Sequence, residues 1–407
     1  MKIEIIEAEN YCESVRDGTH DTPRQVNKGY KLVTAKHIIN GQIDLSDAYL
    51  ISESDYLKIC ERSKVDKWDV LMSMIGNGLG KSAVVKDNPK YAIKNLALFK
   101  IGDEIKAKWL HYYLSSYKGQ SYIYNSLQGS GQPFISLSVI RKFPIPVPVN
   151  DLLMKRIVMI LSRYDSLIEN YQWQIKLLEE AAQRLYKEWF IDLHFPGHEN
   201  TPIIDGIPEG WEKKKLGEVF TYVRGKSYTS KELSNKGTIM VNLKNIQAFG
   251  GYNRNAEKRF TGDYKEMQAL EKGDLIMGVT DMTKERRLVG HVALVPDFNE
   301  RATFSMDLIK IVPFELPKVY LYCAMRFGGI STSISPLANG VNVLHLKPDA
   351  LTGIEMIVPN KVLIQNFSSY ASSCIEEINN IEDQIRNLTE ARDRLLPKLM
   401  SGEIEVS

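Results

Sequence analysis

Several short runs in this chain place glycine beside cations or amides, as loops that bind phosphates or DNA bases do. Residues 76–82 read GNGLGKS and offer backbone amides and the Lys81 ammonium to a phosphate group. Ile75 stands where a nucleotide-hydrolysing P-loop needs glycine, so the spacing argues against nucleotide hydrolysis. A plain turn between two strands explains the glycines as well, and both interpretations stay open.

The second half of the chain carries a different run at the corresponding place. Residues 280–287 read TDMTKERR and are basic where residues 76–82 are glycine-rich. Different side chains at one position of a common scaffold are typical of a variable recognition surface. A solvated charged loop is the alternative interpretation.

Two further pairs of runs supply similar residue types. Residues 16–20 match residues 224–228, and residues 129–132 match residues 339–342. Arg, Gln, Asn and His side chains can pair with base edges, while Lys and Tyr reach the DNA backbone. None of these runs is specific alone, since clusters of Gly, Ser and Asn are mostly plain loops. The side chains that we predict to contact DNA are Arg16, Thr19, His20, Lys36, Lys81, Gln132, Arg224, Lys226, Tyr228, Lys244, Lys284, Arg286, Arg287, Asn342 and His345.

The motifs of enzymes that modify or cut DNA are absent from the sequence. The chain contains no NPPY or DPPY run, with which adenine methyltransferases hold the target amino group. The motif of a metal-dependent nuclease core is not met, because Lys310 lies one residue farther from Asp307 than that motif allows. Neither an HExxH zinc motif nor a helicase signature is present. We therefore expect no catalytic residue, no metal site and no cofactor in this chain.

The candidate runs come in pairs because the sequence contains two copies of one unit. Residues 28–38 match residues 236–246, and residues 69–72 match residues 274–277. The offset stays between about 205 and about 211 along the chain, which indicates a tandem duplication of one large unit and not a short-period solenoid. A chain with two copies of one recognition unit is expected to read two targets at a fixed separation.

The bulk composition is that of an ordinary globular protein of two to four domains. Of the 407 residues 43% are apolar and 25% charged, and a net charge of +2 leaves nucleic-acid binding to local basic patches. The four cysteines lie far apart, which argues against zinc and disulfides and for a reducing compartment. The sequence shows neither a signal peptide nor an apolar run of about 18 residues. We therefore expect a soluble, cytoplasmic protein without a membrane partner.

Two long helices are expected to position the loops. Proline and glycine are absent from about residue 151 to residue 190, directly after a proline-rich segment at 143–148. With Leu161 at heptad position a, every a and d position up to Trp189 is apolar or aromatic, and a run from about residue 361 repeats the pattern except at Arg392. The predicted helix-pairing residues are Leu161, Ile168, Ile175, Leu178, Leu185, Ile378, Ile381, Ile385, Leu388 and Leu395.

These patterns predict an α+β fold in which two globular α/β domains in tandem are each followed by a long helix. One heptad run alone favours a core helix or a homodimer, but two runs in one chain can pair with less loss of entropy, as an antiparallel coiled coil with pseudo-twofold symmetry. About 35 helical residues span about 50 Å, so the globular domains are expected at opposite ends of a rigid spacer. The predicted boundaries are 1–150 and 211–360 for the globular domains, 151–192 and 361–407 for the helices, and 193–210 for the linker.

The order of these elements resembles that of the specificity subunit of type I restriction–modification systems. EWFIDLHFPG at residues 188–197 and IPEGWEKKKLG at residues 207–217 are similar to the central conserved region of that family. The ending RLLPKLMSGE at residues 394–403 is similar as well. The likeness covers essentially the whole chain, although its specific motifs lie in the helices and the linker. The family's Trp-x-x-x-x-Leu-Gly opening, kept at residues 211–217, is missing at the amino terminus.

The resemblance implies a subunit without chemistry of its own. Residues 1–150 and 211–360 would be target recognition domains for the two halves of a bipartite, asymmetric site in double-stranded DNA. The helices would dock two methyltransferase subunits that bind S-adenosylmethionine and methylate adenine. With motor and nuclease subunits, ATP and magnesium, the assembly would cut unmodified DNA. Alternatives are a specificity protein of another methylation system and a coiled-coil adaptor that does not bind DNA, while the missing Pro-Pro motif disfavours a methyltransferase fused to its reader.

Overall fold

The computed structural model describes residues 1–76, 78–129, 131–283 and 285–406. The chain divides into two compact units, of which unit 1 comprises Met1–Asn170 and Gln384–Ser407, and unit 2 comprises Tyr171–Asp383. The boundaries fall inside the two long helices and not at their ends. Each unit therefore contains the first part of one helix and the last part of the other.

Unit 1 consists of short strands and helices that lead into the first long helix. Its strands are two to five residues long, because turn-forming Gly, Pro, Asn and Asp residues interrupt the β-branched runs. In chain order the elements are β1 (Ile3–Glu7), α1 (Ala8–Tyr11), β2 (Ser14–Asp17), β3 (Tyr30–Val33), β4 (Ile38–Ile39), β5 (Gln42–Ile43), β6 (Leu50–Ile51), α2 (Glu53–Ser63), β7 (Val70–Ser73), β8 (Ser82–Val84), β9 (Tyr91–Ile93), β10 (Leu96–Lys100), α3 (Glu104–Ser115), α4 (Tyr117–Asn125), α5 (Leu137–Arg141), β11 (Pro144–Pro148) and α6 (Asp151–Phe190), which continues into unit 2.

The core of unit 1 lies between its sheets and α3. A four-stranded antiparallel sheet has the order β2-β10-β7-β8, and a three-stranded sheet has the order β6-β3-β9 with β3 and β9 parallel. Among the described strands, the proline-rich strand β11 pairs with β1 and with no other. Its prolines have no backbone N–H and so could not donate to a second neighbouring strand. Trp109 of α3 is fully buried, and its Nε1 donates to the Pro146 carbonyl at 2.8 Å. That bond fixes the helix against β11.

Unit 2 begins with the end of α6 and finishes inside the second long helix. The segment 193–210, predicted as a linker, contains a small hairpin. The elements are β12 (Ile203–Ile204), β13 (Ile207–Pro208), β14 (Glu212–Lys215), α7 (Leu216–Val219), β15 (Phe220–Arg224), β16 (Leu233–Ser234), β17 (Thr238–Val241), β18 (Lys258–Phe260), β19 (Ala269–Leu270), β20 (Leu275–Gly278), β21 (Thr280–Asp281), β22 (Val292–Leu294), β23 (Ala302–Phe304), β24 (Leu308–Pro313), α8 (Lys318–Phe327), α9 (Ile330–Ile334), β25 (Leu344–His345), β26 (Glu355–Val358) and α10 (Lys361–Ser401), which continues into unit 1.

Unit 2 repeats most of the topology of unit 1, although its second sheet, β16-β18-β17-β23-β19, has five strands where that of unit 1 has three. Its sheet β15-β24-β20-β22 corresponds strand for strand to β2-β10-β7-β8, and its parallel pair β17 and β23 corresponds to β3 and β9. β14 pairs with β26 as β1 pairs with β11. The predicted fold class, with two tandem domains of mixed helix and sheet and two long helices, is confirmed.

Within each unit the long helices run antiparallel. In unit 1, Ile157 of α6 and Leu399 of α10 line the same cavity. Further along α6, Asp165 bonds to Arg392, which lies earlier on α10. Leu161 and Leu399 belong to one buried cluster that also includes the core of the unit 1 sheet. The seam between the helices is therefore continuous with the core of the globular part.

In unit 2 an aromatic cluster joins the helices. The fully buried Phe367 of α10 has its ring centroid 5.6 Å from that of Tyr186 and 5.2 Å from that of Phe190, both on α6. Trp189 and Tyr320 complete the cluster at 6.4 and 6.2 Å from Phe367. Aromatic pairs at such spacings contribute about 0.5 to 1.5 kcal/mol each beyond the area that they bury.

The predicted helix-pairing residues are all at least partly shielded from solvent, and their pairing with one another stays a prediction. Three of them are buried and the others are partly buried, and none is exposed. The buried ones are Leu161, Ile168 and Ile381; the partly buried ones are Ile175, Leu178, Leu185, Ile378, Ile385, Leu388 and Leu395.

Arg392 interrupts the apolar seam for an electrostatic reason. Its Nη1 donates to Oδ1 of Asp165 at 2.8 Å, and the Tyr112 hydroxyl of α3 donates to the other oxygen of that carboxylate. A charge in a helix seam is tolerated when its partner and hydrogen bonds are in place. The three residues therefore tie α3, α6 and α10 together.

The partly buried imidazole of His111 makes the stability of unit 1 depend on pH. Its Nδ1 bonds to Ser82 Oγ at 2.9 Å, and burial lowers the pKa of His111 from 6.5 to about 4. The folded chain then binds fewer protons than the unfolded chain between these values. We expect the free energy of unfolding to fall as the pH drops from 6.5 towards 4, by about 1.4 kcal/mol per pH unit and about 3 kcal/mol in total.

Denaturant unfolding of the wild type and of His111→Gln between pH 4 and pH 8 measures this contribution. The difference between the two unfolding free energies should shrink as the pH falls below 6.5. His345→Gln, at an exposed site, is the matched control and should keep the wild-type slope. Parallel pH curves for the wild type and His111→Gln would show that His111 is not the group that titrates.

Candidate nucleic-acid interface

Lys36 lies on a one-turn 3₁₀ helix, Ala35–His37, directly after the central strand β3. The turn forms because the backbone amide of Thr34 donates to Nδ1 of His37 at 2.8 Å. Burial lowers the pKa of His37 below its ordinary value, so the ring is neutral and Nδ1 can accept this bond. The exposed Lys36 ammonium pairs with Oδ2 of Asp47 at 2.8 Å.

Lys244 occupies the equivalent turn of unit 2, Leu243–Asn245. Here the amide of Asn242 donates to Oδ1 of Asn245 at 2.9 Å, so an asparagine takes the place of the histidine. Nδ2 of Asn253 donates to the Lys244 carbonyl at 3.0 Å and holds the turn in place. Both copies thus present an exposed lysine at the same position of the fold.

The glycine-rich loop of unit 1 is a closed turn. The backbone amides of residues 79, 80 and 81 donate to carbonyls of the same hairpin at 2.9 to 3.0 Å. Gly80 has φ +80°, and a Cβ there would lie 3.1 Å from Oε1 of Gln120. These three amides are therefore not free to bind a phosphate, and phosphate binding by the rest of the loop stays a prediction. The Lys81 side chain is exposed, and its contact with DNA stays a prediction.

The His20 ring is held at the base of this loop. Its Nε2 lies 3.0 Å from Oδ2 of Asp17 and its Nδ1 lies 2.9 Å from Oδ1 of Asn95. Asp17 is buried and also pairs with Arg62. The Asn95 carbonyl accepts the amide of Met74, which leads into the glycine-rich loop, at 3.4 Å. His20 therefore has a fixed orientation beside the loop.

Gln132 and Lys36 border the same loop. If Gly76 carried a Cβ, Nε2 of Gln132 would lie 3.6 Å from it. If Gly78 carried a Cβ, the carbonyl oxygen of Ala35 would lie 3.5 Å from it. The structure thus brings four predicted DNA-contacting side chains onto neighbouring loops of unit 1, namely His20, Lys36, Lys81 and Gln132.

Arg16 and Thr19 have partners inside the protein. Arg16 on β2 is exposed, and its guanidinium donates to the Arg62 carbonyl and to Oγ of Ser14, both at 3.1 Å. Oγ1 of Thr19 accepts the amide of Asp21 at 3.1 Å in a local turn. Their contacts with DNA stay predictions.

Arg224 ends β15 in unit 2, and Lys226 follows that strand. The Arg224 guanidinium lies 5.9 Å from the ring centroid of Tyr222 and 3.9 Å from Oδ2 of Asp349. The backbone amide of Lys226 donates to the Phe304 carbonyl at 2.8 Å and fixes the start of the loop. Arg224 is exposed and Lys226 is partly exposed.

Tyr228 lies at the edge of the same loop and is partly exposed. Its ring packs edge-to-face on Phe260 with centroids 6.3 Å apart, and Nζ of Lys258 donates to its hydroxyl at 3.4 Å. A phenol beside an ammonium can bond a phosphate oxygen. The role of Tyr228 at the DNA backbone stays a prediction, and the Lys258 ammonium places a cation beside its hydroxyl.

The basic loop of unit 2 folds around the buried carboxylate of Asp281. Its oxygens accept the amides of Thr283, Leu288 and Val289 at 2.7, 2.6 and 3.1 Å. Burial alone raises the pKa of Asp281, but these hydrogen bonds outweigh burial and hold the pKa below its ordinary value. The loop therefore has a defined shape.

Arg286 and Arg287 both take part in that shape. Arg286 has φ +53°, and its Nη1 donates to the Ser335 carbonyl at 2.9 Å. Nε of Arg287 lies 3.8 Å from Oε2 of Glu285, and its backbone amide donates to Oγ1 of Thr283 at 3.1 Å. These partners were not predicted from the sequence, and contact of either arginine with DNA stays a prediction. Lys284 lies outside the described residues.

Asn342 and His345 lie next to this loop. His345 is opposite Thr280 in the antiparallel pair of β21 and β25, and it also pairs with Asn339. The loop that this second pairing closes carries Asn342. Both candidate side chains are exposed. The structure thus brings them together with the loop around Asp281.

The pairing of these loops corrects the predicted match between the two units. In unit 1 the equivalent loop is closed by Gln128 and Phe134, whereas in unit 2 it is closed by Asn339 and His345. By this register Gln132 corresponds to residue 343, and the predicted match to residue 342 is off by one position. The predicted match of residues 16–20 to residues 224–228 is off by one position as well, because Asp17 and Arg224 pair with equivalent residues of β10 and β24. Short glycine-containing runs fix a sequence alignment too weakly to settle single positions.

Two arginines that the sequence did not single out anchor the globular part of unit 2 on the helices. Arg254 donates to Glu382 at 2.6 Å and to Asp383 at 3.1 Å, both on α10. Arg326 donates to Glu179 of α6 at 2.8 Å. The acidic residues beside the heptad seam were visible in the sequence. They did not indicate which basic residues would bind them.

Each candidate surface offers cations, amides and ring nitrogens on loops at the end of a sheet. These groups can bond phosphate oxygens and base edges. In the described ranges, no three His, Cys, Asp or Glu side chains are grouped so that they could hold a metal ion. All four cysteines carry free thiols. Among the helices of the described residues, none has the length and apolar character to cross a membrane.

Comparisons with known proteins agree with one another. Residues 16–180 and 208–387 match a family model described as the type I restriction modification DNA specificity domain. The chain is 29% identical over 316 residues to the MjaIX specificity subunit, a type I restriction enzyme subunit of Methanocaldococcus jannaschii, covering 75% of this chain and 70% of that protein. It is 23% identical over 374 residues to the MjaVIII specificity subunit of the same organism, covering 87% and 83%.

A solved structure shows the same fold. The S subunit of a type I restriction–modification system from M. genitalium matches 100% of this chain with 97% of its own length, at a TM-score of 0.55 and 16% identity. At that identity the likeness concerns the architecture.

Proposed function

This chain belongs to the type I restriction–modification DNA specificity family, and from that premise we propose that its two units each read one half of a bipartite DNA site. The chain is a DNA specificity subunit. Unit 1 would read its half-sequence with the loops around residues 20, 36, 81 and 132. Unit 2 would use the loops around residues 226, 244, 286 and 345.

One observation carries this proposal. The two units share the order of their four-stranded sheets and a parallel strand pair in the second sheet, yet they present different side chains at equivalent positions. The capped turn of unit 1 uses His37 where unit 2 uses Asn245. The closed glycine-rich turn of unit 1 corresponds to the loop built on Asp281 in unit 2. A common scaffold with variable loops is what two readers of different sequences need.

The same premise supports a set of partners and cofactors. We propose that α6 and α10 dock two methyltransferase subunits, which bind S-adenosylmethionine and methylate adenine. Motor and nuclease subunits with ATP and magnesium would complete a restriction enzyme. The chain itself would hold none of these cofactors. Two alternatives are less well supported, because the family match covers both reading units. In one the chain serves another kind of methylation system, and in the other it is an adaptor that does not bind DNA.

The proposal is tested by methyl transfer with purified components. The chain alone, given S-adenosylmethionine and duplex DNA, should transfer no methyl groups. Together with its methyltransferase subunit it should direct adenine methylation to one bipartite motif. The methyltransferase without this chain is the control and should methylate no defined motif. Methyl transfer by the chain alone, or a motif that is the same with and without the chain, would contradict the proposed function.

A further inference from the structure

Three apolar side chains stand exposed on the candidate surface of unit 2. Met282 is 77% exposed, Met306 58% and Val341 100%. Residues of these types are among those most often buried. An apolar group on a surface that otherwise carries cations and amides indicates a partner with an apolar feature of its own.

The three side chains stand on neighbouring segments. Met282 directly follows β21, and the partner strand β25 closes the loop that carries Val341. The Asp307 carbonyl, next to Met306, accepts the amide of Val279 just before β21 at 2.9 Å.

The same segments carry candidate DNA contacts. The amide of Met306 donates to the Lys226 carbonyl at 2.9 Å, and the loop of Val341 closes on the exposed His345. The apolar side chains therefore lie among groups suited to DNA, which favours DNA over a protein as the occupant of this surface.

Unit 1 carries polar residues at the equivalent positions. The amide of Asn95 donates to the Thr19 carbonyl at 3.1 Å, as the amide of Met306 does to that of Lys226. Asn95 therefore matches Met306. By sequence position Met282 and Val341 match two polar residues that lie outside the described ranges, Asn77 and Ser130.

We propose that Met282, Met306 and Val341 read thymine C5-methyl groups in the major groove. Among the base edges of that groove the thymine methyl is the apolar feature, and apolar side chains contact it. The half-site of unit 2 is then distinguished by its methyl groups, whereas unit 1 has polar residues at these three positions. This inference rests on the proposed function and adds the chemical class of base that one unit selects.

Deoxyuridine tests the inference because it pairs as thymine does and lacks the methyl group. The full-length chain first selects its site from a random duplex library, which identifies both half-sequences. Each thymine is then replaced singly by deoxyuridine and the Kd is measured. We expect Kd to rise about four-fold for each contacted methyl in the half-site of unit 2, which corresponds to about 0.8 kcal/mol per buried methyl. Replacements in the half-site of unit 1 are the internal control and should leave Kd unchanged.

Single alanine variants assign the contacts. Met282→Ala, Met306→Ala and Val341→Ala should each bind thymine and deoxyuridine equally well at one position, because the side chain that sensed the methyl is gone. These side chains are exposed, so the fold should persist. Val362→Ala on α10, at a site that is 65% exposed, is the matched control and should keep the full discrimination.

The outcomes separate this inference from the proposed function. Sequence-specific binding with no thymine in the half-site of unit 2, or a deoxyuridine effect that persists in all three variants, would overturn the inference and leave the proposed function standing. A chain that selects no sequence from the library would overturn both.

Discussion

Exchanging residues 13–148 for the equivalent segment of a relative is expected to replace one half of the methylated motif completely and to leave the other half intact. The expectation follows from the two separate sets of loops, each of which is held by bonds within its own unit. Sequencing of adenine methylation in cells that carry the hybrid and its methyltransferase measures the result. A hybrid in which both halves of the motif change would show that the units do not read independently.

The contacts across the exchange points set the design of the hybrid. β11 pairs with β1 through the backbone, so its side chains can change. Tyr112 and Lys86 bond to Asp165 and Glu169 of α6, and the donor segment should keep equivalent donors. The reciprocal exchange of residues 211–358 is the control, and it should change the other half of the motif.

Inserting one heptad after Asn170 in α6 and one after Asp383 in α10 is expected to lower methylation of the original site by about a hundredfold or more. The insertions fall where unit 1 and unit 2 meet along the chain, so both seams keep their register. Each helix gains about 10 Å, equal to about three base pairs, which also rotates the far half-site by about 100°. Absorbing that mismatch costs on the order of 3 kcal/mol, or a factor of about a hundred.

Methylation of sites with identical half-sequences and a series of spacers measures this effect, with assembly checked by gel filtration. A heptad placed in α6 alone is the control, because it shifts one seam against the other and should lower the stability of the chain itself. If the double insertion left methylation of the original site undiminished, the helices would not set the distance between the half-sites.

The long helices could be predicted because their signal is long. The apolar repeat runs without proline or glycine through the whole of α6 (Asp151–Phe190), and a pattern of that length outweighs the propensity of any single residue. The break at Arg392 was visible, but its partner Asp165 is 227 positions away in the chain. Sequence patterns report local periodicity, and such a distant pairing leaves no local trace.

The candidate site was predictable in its positions and less so in its bonds. Lys36 and Lys244 could be matched because the residues that cap their turns recur at the same spacing. The closed amides of residues 79–81 and the bond from Arg286 to Ser335 could not be foreseen, because they depend on which carbonyl the folded chain brings near. The exposed Met306 was missed because a methionine in a sequence usually indicates core.

The shared core of unit 1 has a consequence for how the protein is made. Leu161 is packed in one cluster with Leu396, Leu399 and Met400, and the ribosome adds those residues about 240 positions later. At roughly 5 to 20 residues per second, the apolar stripe at the start of α6 waits for roughly 12 to 50 seconds before its partner leaves the ribosome. During that interval the start of α6 can pack only on the earlier residues of unit 1, and its face towards α10 is not yet covered.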